Sequence, residues 1–401
     1  MTSNFILQQG RAIHRPGRRR WQAVGLLLAA TAACGQATTT PVQTSARPFT
    51  VHEVAKFSTP WAMAFLPGSG VATTHSALLT EREGKLWIVK VDTGEKSEVE
   101  VDDLVDVAVA GQGGLGDVVV HPDFAANSRV YLSYVEKGPN GASGAALGYG
   151  ELTARSSGHA RPVFHLVNFK VIWRQQPKVE GNGHFSHRIA FGPDGFLYLT
   201  SGERQKFDPA QDMTVTLGKV LRLTAEGAPA PGNPWAAKGG VAAQFWTMGH
   251  RNALGISFAP DGRLWETEMG PEGGDELNLI APGKNYGWPR ASNGSNYGAG
   301  DIPDHKAGDG YEPPKVFWTP SISPGGLLIY SGDKFAAWKG DALIPALSGE
   351  ALIRVDIDGD KATKADQWAM GARIRAVDQG PDGSVYLLED EGRLLRLDPA
   401  K

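Results

Sequence analysis

The sequence predicts an all-β chain folded as a six-bladed β-propeller, and two observations carry that prediction. Glycine and proline, 51 and 26 of 401 residues, are well above ordinary usage. This excess is typical of many short strands joined by turns and argues against a helical bundle. A short phrase also repeats along the chain. Radial repetition of small antiparallel sheets explains such a repeat, whereas the alternative of two β-sandwiches gives no reason for it.

The repeated phrase is Pro-Asp-Gly followed by an alternating apolar segment. Complete copies occupy 193–195, 260–262 and 381–383, and looser copies lie at 66–68 and 121–124. Proline presets φ and glycine accepts a positive φ, so each copy predicts a turn before a strand. Spacings of 71 and 67 residues separate successive copies, and the last follows after a further 121. This period predicts five to six units over about 350 residues.

Residues 1–34 are predicted to be an export leader. They contain five arginines and no acidic residue, followed by an apolar run of about 13 residues that is too short to span a bilayer. The single cysteine, Cys34, ends a Thr-Ala-Ala-Cys box that resembles a bacterial lipoprotein cleavage site. We therefore expect a periplasmic protein anchored by lipid at Cys34, with plain secretion as the alternative. Residues 35–48 read as a flexible tether before a propeller domain over 49–401.

Composition excludes several classes of protein. The 40 basic and 43 acidic residues give a net charge of −3 with no basic stripe, so a nucleic-acid partner is not expected. One cysteine excludes a disulfide scaffold and a cysteine-built zinc site. The dinucleotide-type motif at 111–116 precedes a strand-forming segment where a phosphate-binding helix is required. The calcium-loop-like segment at 356–360 has Lys361 where glycine is required, which favours a hairpin turn.

Polar, turn-rich segments lie between the repeat strands and mark the candidate site. In a propeller such loops converge at one end of the axis. Arg373 and Arg375 share one strand face, while Arg251 precedes Asn252 and His184 lies in a glycine-bounded loop. Each of them alone has an ordinary surface role. Together they suit a planar, multiply anionic ligand, because arginine binds carboxylates bidentately, with histidine as a general base.

Several of these segments resemble the pyrroloquinoline quinone (PQQ)-dependent aldose sugar dehydrogenase family, which includes relatives of soluble glucose dehydrogenase. The resemblance covers nearly all of 49–400. The segments that carry it are 113–124, 184–202, 218–223, 249–252, 268–289, 318–326 and 373–375. It implies a six-bladed propeller with PQQ on its axis, bound Ca²⁺, and oxidation of an aldose sugar at the anomeric carbon to an aldonolactone. PQQ is then the immediate electron acceptor, and a downstream acceptor reoxidises it.

The resemblance also assigns roles to individual residues. His184 matches the base that takes the proton of the anomeric hydroxyl while hydride passes to the quinone. Arg251 and Asn252 match the pair beside the quinone oxygens. The other cofactor-site and substrate-site positions are Gln112, Asp275, Ser321, Arg373 and Arg375. The calcium-site positions are Gly270, Pro271, Glu276, Tyr286 and Glu312, which offer the oxygen ligands that Ca²⁺ prefers.

Three positions depart from the family pattern. Met269 stands where relatives have Gln or His, Glu203 replaces an Asp, and Ser348 replaces a lysine of soluble glucose dehydrogenase. Loss of that lysine removes a cation near an anionic cofactor. Two other functions stay open: a calcium-dependent sugar lactonase, and a non-catalytic propeller that binds sugar or protein.

Overall fold

The structure is a computed structural model that describes residues 46–68, 75–104, 107–155, 162–298 and 300–400. The leader, Cys34 and most of the tether lie outside these ranges, so export, lipid anchoring and the division into segments stay predictions. Within the described ranges no helix has the length and apolar character needed to cross a membrane.

Nearly all regular structure in the described ranges is β, as predicted. Strand β1 spans Phe49–Lys56, and together with 23 later strands it forms six antiparallel four-stranded groups, which we call units 1 to 6. Unit 1 is β2 (Pro60–Phe65), β3 (Ser76–Glu81), β4 (Lys85–Lys90) and β5 (Lys96–Val101). Unit 2 is β6 (Leu115–Val120), β7 (Arg129–Lys137), β8 (Ala142–Arg155) and β9 (Val163–Arg174), with β10 (Val179–Glu180) beside β8.

The remaining units follow in chain order, and β1 returns to complete the last of them. Unit 3 is β11 (Ser186–Phe191), β12 (Leu197–Ser201), β13 (Lys219–Leu223) and β14 (Phe245–Met248). Unit 4 is β15 (Ala253–Phe258), β16 (Leu264–Glu268), β18 (Asp275–Ile280) and β20 (Val316–Trp318), and β17 (Glu272–Gly273) pairs with β19 (Gly294–Ser295). Unit 5 is β21 (Leu328–Ile329), β22 (Ala342–Ala346), β23 (Ala351–Asp358) and β24 (Lys361–Ala369). Unit 6 is β25 (Ile374–Gln379), β26 (Val385–Glu389), β27 (Arg393–Pro399) and β1.

Helical structure in the described residues is limited to single turns. The α-helix α1 spans Phe124–Asn127. Short 3₁₀ helices span Pro139–Gly141, Asp208–Gln211, Ala236–Lys238, Gly240–Gln244 and Ala336–Trp338.

Units 1 and 2 are not separate sheets. A parallel pairing of β5 with β9, from Val99 opposite Phe164 to Val101 opposite Leu166, joins them into one nine-stranded sheet. The all-β prediction is therefore confirmed, whereas the six-bladed propeller stays a prediction.

The Pro-Asp-Gly phrases form the predicted turns between the first and second strands of units 3, 4 and 6. In each turn the aspartate side chain accepts the amide two residues further on. Asp194 accepts from Phe196 at 3.2 Å, and Asp261 accepts from Arg263 at 3.0 Å. The following glycine has φ between 78° and 86° in the three turns. The phrase therefore recurs because its proline, aspartate and glycine each meet a requirement of the same turn.

Apolar clusters fill the space between successive units, and this packing runs around the whole set. Tyr386 and Leu388 of unit 6 pack with Met63 and Leu79 of unit 1. The first strand of each unit contacts the next unit, and β25 of unit 6 contacts β2 of unit 1. An internal cavity of about 220 Å³ is lined by residues on or next to all six first strands.

We expect Phe49→Ala to destabilise the protein strongly, because Phe49 joins β1 to unit 5. Its ring packs edge-on against Trp338 and Trp368, with centroid distances of 6.1 and 5.4 Å. Truncating a buried phenylalanine costs about 3–5 kcal/mol of the free energy of unfolding. Urea unfolding followed by tryptophan fluorescence measures the loss.

The matched control for this variant is Phe317→Ala. Phe317 is 44% exposed, so its truncation should cost less than about 1 kcal/mol. Equal shifts of the urea midpoint in the two variants would contradict a role of β1 in joining the two ends of the chain.

Candidate active site

A cavity of about 280 Å³ lies where the loops of different units meet. Residues from every unit or its adjoining loops contribute to its wall. Its polar lining comprises Arg82, Gln112, Ser186, His187, Ser323, Arg373 and Arg375. Its apolar lining includes Trp61, Phe185, Leu254, Met269 and Leu347. Three guanidinium groups and no carboxylate are among the described lining residues, so the cavity suits an anionic ligand with a flat apolar part.

Arg373 and Arg375 lie on one face, as their spacing predicted, and both are held by Asp390. Arg375 donates from Nε to Asp390 Oδ1 at 2.7 Å and from Nη2 to Oδ2 at 3.1 Å, and Arg373 Nε donates to Oδ2 at 2.9 Å. Burial raises the pKa of Asp390, but the two arginines outweigh it, so the pKa lies below its usual range. Asp390 was not predicted from the sequence. It reaches the two arginines because β26 pairs with β25 in a register that places Glu389 opposite Ile374.

His184 is buried beside this cavity and forms a pair with Glu203. Its backbone N–H donates to Gln112 Oε1 at 2.7 Å, and its Nδ1 bonds to Glu203 Oε1. Burial lowers the pKa of His184, and the charge of Arg251 lowers it further, while Glu203 opposes the shift. A neutral ring that donates its Nδ1 proton to the carboxylate leaves Nε2 as the proton acceptor.

Glu203 is fixed by the loop that follows it. The backbone N–H of Phe207 donates to Glu203 Oε2 at 2.6 Å, and the N–H of Lys206 donates to the same oxygen. Burial raises the pKa of Glu203, but the hydrogen bond from His184 and the amide of Phe207 outweigh it, and the pKa is lowered. Glu203 therefore stays ionised next to a neutral histidine, which orients the ring and stabilises it when protonated.

Backbone strain is concentrated in the two segments that hold this pair. Non-glycine residues with positive φ include His184, Ser186 and His187 in the first segment, and Arg204, Gln205 and Phe207 in the second. Such conformations cost of order 1–3 kcal/mol each and persist only where the surroundings enforce them. Contacts of the Arg204 side chain hold the first segment in this conformation. Its Nε donates to the Gly183 carbonyl at 2.9 Å, and its guanidinium lies 3.8 Å from the Phe185 ring centroid.

Arg251 and Asn252 lie behind the cavity wall. Their backbone N–H groups donate to Glu268 Oε2 at 2.6 and 3.3 Å. Arg251 Nη1 donates to the Met269 carbonyl at 2.9 Å, and Asn252 Oδ1 accepts from Ser186 Oγ at 3.2 Å. Arg251 Nε is buried without a partner. The side chains of Arg251 and Asn252 thus bind residues that line the cavity, Met269 and Ser186, and the Nε–H group of Arg251 is left as an unused donor.

Asp275 ties two loops together. Its carboxylate accepts from Gly270 N at 2.8 Å and, in the neighbouring loop, from Ser321 Oγ at 2.5 Å and Ser323 N at 2.7 Å. Ser323, rather than Ser321, lines the cavity. Ser348, which stands at the position of the missing lysine, donates from Oγ to Ser323 Oγ at 2.8 Å. Asp275 and Ser321 therefore position the wall from behind.

The predicted calcium positions are held by different contacts. The Tyr286 hydroxyl donates to the Leu279 carbonyl at 2.7 Å, and the Pro271 carbonyl accepts from Tyr297 at 2.8 Å. Glu312 pairs with Lys284 at 3.2 Å and with Lys315 at 3.9 Å. Glu312 thus lies between two lysine side chains, whereas Glu276 belongs to a buried acidic cluster that the sequence pattern did not indicate.

The acidic cluster consists of Glu266, Glu268, Glu276 and His250, gathered around Asn278. Asn278 Nδ2 donates to Glu266 at 3.1 Å, to Glu276 at 3.1 Å and to Glu268 at 3.4 Å. Ligand atoms of His250, Glu266 and Glu268 lie within 4.8 Å of one another. Burial, and then the charge of Glu268, raises the pKa of Glu266 and Glu276 well above the usual range. Glu268 also accepts from the backbone N–H groups of Arg251 and Asn252. Glu266 and Glu276 share the amide of Asn278, so these two buried carboxyl groups need protons or a cation.

Trp61 forms part of the cavity wall, and its ring packs against a buried histidine ring and a buried guanidinium group. His187 stacks on it at 5.1 Å, and the Arg188 guanidinium lies 3.9 Å from its centroid. A Cβ at Gly116 would lie 2.0 Å from His187 Cε1, so this position requires glycine. The glycine motif that resembles a dinucleotide fingerprint therefore serves close packing under the cavity, and β6 follows it as predicted.

The fold and the site define a class: an all-β protein with a cationic central cavity and a buried histidine–carboxylate pair beside it. The chain belongs to the glucose/sorbosone dehydrogenase family, whose profile matches residues 57–396. That family is one of oxidoreductases, and the resemblance seen in the sequence is thereby confirmed.

Similar proteins agree with this assignment. Aldose sugar dehydrogenase YliI of Escherichia coli K12 is 39% identical over 353 residues, covering 86% of this chain and 91% of YliI. Quinoprotein glucose dehydrogenase B of Acinetobacter calcoaceticus is 29% identical, covering 78% and 80%. The apo crystal structure of the soluble aldose sugar dehydrogenase of E. coli has a TM-score of 0.80 at 38% identity, covering 88% and 100%. The PQQ-bound aldose sugar dehydrogenase of Streptomyces coelicolor has a TM-score of 0.69 at 28% identity, covering 87% and 98%.

Proposed function

We propose that the protein oxidises aldose sugars at the anomeric carbon to aldonolactones, with PQQ as cofactor and a downstream acceptor that reoxidises it. The observation that carries the proposal is the His184–Glu203 pair beside a cavity that contains Arg82, Arg373 and Arg375. The PQQ-bound relative from S. coelicolor and the quinoprotein from A. calcoaceticus support the cofactor.

We also propose that the six units are the blades of a six-bladed propeller. Apolar clusters bridge successive units and also join unit 6 to unit 1. The cavity of about 220 Å³ that all six first strands line would be the central channel of such a ring. The parallel β5–β9 pairing then joins two neighbouring blades at their outer strands.

The cavity residues fit PQQ by charge and shape. Arg373 and Arg375 keep donors beyond those bound to Asp390, and Trp61 offers a flat face. Bound there, PQQ would supply the quinone that accepts a hydride from the sugar. The calcium-dependent lactonase alternative needs metal-binding carboxylates in this cavity, and its described lining contains three arginines instead.

The proton chemistry belongs to His184 and Glu203. In lactone formation the anomeric C–H bond breaks as hydride leaves, the O–H proton passes to His184 Nε2, and a C=O bond forms. Because its lowered pKa keeps the ring neutral near pH 7, His184 can accept that proton. Glu203 then balances the positive charge on the imidazolium.

The acidic cluster fits Ca²⁺ better than the Glu312 position does. Glu266 Oε1 and Asn278 Oδ1 are buried without partners, and oxygen donors are the ligands that Ca²⁺ prefers. We propose that Glu266, Glu268 and Glu276 hold the ion and stiffen β16, which Met269 follows, and β18, which begins at Asp275. Addition of Ca²⁺ to chelator-treated protein should then raise the melting temperature, and Glu266→Gln should reduce that rise. Equal melting temperatures with and without Ca²⁺ would contradict the site.

Reconstituted protein should bind PQQ and reduce a dye only when an aldose is added. We expect His184→Gln to keep the visible absorbance of bound PQQ but to lower kcat by about 10²–10⁴-fold, because the base is lost. Absorbance titration measures binding, and dye reduction with monosaccharides and disaccharides measures turnover.

The control for this experiment is His52→Gln, which alters an exposed histidine of β1 and should change neither quantity. Failure of every aldose to reduce the dye would overturn the proposed function. Turnover retained by His184→Gln would remove His184 as the base.

The pH profile of kcat/KM should report the His184–Glu203 pair. In the wild type the acidic limb should lie below pH 6.5, since burial lowers the pKa of His184. Glu203 raises that pKa, so Glu203→Gln should move the limb to lower pH and reduce kcat by roughly 10²-fold.

Glu98→Gln changes an exposed glutamate paired with Lys85 at 3.4 Å and serves as the control. A limb that moves to higher pH in Glu203→Gln would show that the carboxylate does not act on His184 in this way.

A further inference from the structure

The connection between β12 and β13 of unit 3, residues 202–218, contains Glu203 and is long for two neighbouring antiparallel strands. Its regular structure is limited to the 3₁₀ helix Asp208–Gln211. Such a loop needs fixed points along its length if Glu203 is to keep one position beside His184. One fixed point is the side chain of Lys219, the first residue of β13.

Lys219 is fully buried, and its ammonium group binds the loop that precedes it. Nζ donates to the carbonyl oxygens of Leu217 at 2.6 Å, Pro209 at 2.9 Å and Ala210 at 3.1 Å. An ammonium group has three N–H donors, so the three carbonyls use all of them. Burying a charged amine costs free energy unless its hydrogen bonds are satisfied. The positions of the three carbonyls are therefore coupled to the charge of one side chain.

The residue before Lys219 allows the loop to approach β13 closely. Gly218 has a φ of 69°, and a Cβ there would lie 2.6 Å from Ala210 Cα and from the His250 carbonyl oxygen. Position 218 thus requires glycine both for its backbone conformation and for the space it leaves. The Gly-Lys pair begins one of the segments that resemble the sugar dehydrogenases, and neither residue has a role in the proposed reaction. Together they hold the 208–211 turn against the start of β13.

This turn directly follows the groups that hold Glu203. The backbone N–H groups of Lys206 and Phe207 donate to Glu203 Oε2, the latter at 2.6 Å. The carbonyls that bind Lys219 belong to the next turn of the chain. On its other side, Glu203 bonds through Oε1 to His184 Nδ1. A continuous set of contacts therefore runs from the Lys219 ammonium group, through the backbone of the loop, to the proposed base.

We propose that Lys219 is a positioning residue for the His184–Glu203 pair, because its ammonium group fixes the turn that keeps the amides of Lys206 and Phe207 on the Glu203 carboxylate. The inference rests on the proposed function, in which this pair accepts the proton. Lys219 is not among the described residues that line the cavity, so it acts through the backbone. Without the two amide donors the pKa of Glu203 would rise, and its carboxylate would stabilise protonated His184 less.

Lys219→Met keeps the length of the side chain and removes its three donors. We expect the pKa of His184 to fall in this variant, because Glu203 raises that pKa and the freed loop weakens the contact. The fall should be smaller than in Glu203→Gln, and kcat should decrease roughly tenfold. NMR titration of the labelled imidazole in cofactor-free protein measures the pKa without turnover, and loss of the signal in His184→Gln assigns it.

Two arginines also act on the pKa of His184, and both lower it. Arg251 lies outside the loop. Arg204 lies within it, but its guanidinium is bound to the Gly183 and Ser143 carbonyls outside the loop. Both cations should therefore keep their places in Lys219→Met, and a fall in the His184 pKa reports a change at Glu203.

Arg222→Met is the matched control, since Arg222 is also a buried cation of β13. It binds Asp194 at 2.9 Å and the Pro231 carbonyl at 2.8 Å, at the other end of the strand. Its loss should lower the melting temperature and leave the pKa of His184 unchanged. Lys219→Gln retains two donors, so it should give a smaller pKa shift, and it replaces Lys219→Met if that variant does not fold.

A double variant separates positioning from stability. In the Glu203→Gln background, Lys219→Met should not change the pKa of His184 further, because the carboxylate through which Lys219 acts is gone. A His184 pKa that is unchanged in both Lys219 variants, or that falls equally in both backgrounds, would overturn the role of Lys219. A shifted pKa in a protein that oxidises no aldose would overturn the proposed function alone.

Discussion

The pairing of β1 with β27 is the constraint on which the rest of the structure depends. It makes the N-terminal strand the outer strand of a unit whose other three strands come from the C-terminus, with Phe49 opposite Pro399. Unit 6 can then pack against both unit 5 and unit 1. Because the first strands of successive units contact one another, residues far apart in the chain, such as Trp61 in β2 and Arg375 in β25, line a single cavity.

The site separates opposite charges into two environments. Next to the cavity, Asp390 binds two of the arginines that line it, and its pKa is lowered because neighbouring cations favour the carboxylate. Behind the wall, Glu266 and Glu276 are buried with Glu268, and their pKa values rise. The three buried carboxyl groups of the acidic cluster cost free energy unless protons or a cation neutralise them. The cationic cavity and the acidic cluster therefore point to two different ligands.

Rigidity at the site comes from buried polar contacts that enforce an unfavourable backbone. The segments around His184 and Arg204 contain half of the described non-glycine residues with positive φ. Arg204 holds them with side-chain bonds to the Gly183 and Ser143 carbonyls. The same segments contain His184 and Glu203, so one strained region fixes both the proposed proton acceptor and its carboxylate partner.

Features that depend on local chemistry could be predicted from the amino-acid sequence alone. Pro-Asp-Gly turns, strands after them, the shared face of Arg373 and Arg375, and the strand after the glycine motif follow from turn preferences and a period of two residues. Contacts between side chains that lie far apart in the chain depend on the tertiary structure. In the folded chain Asp390 binds Arg373 and Arg375, and Glu203 binds His184. Glu266 and Glu276 lie on either side of Asn278, and Glu312 lies near two lysines. Such partners are set by the register between strands and by the packing of units around the β1–β27 closure, and a single sequence carries no local signal of either.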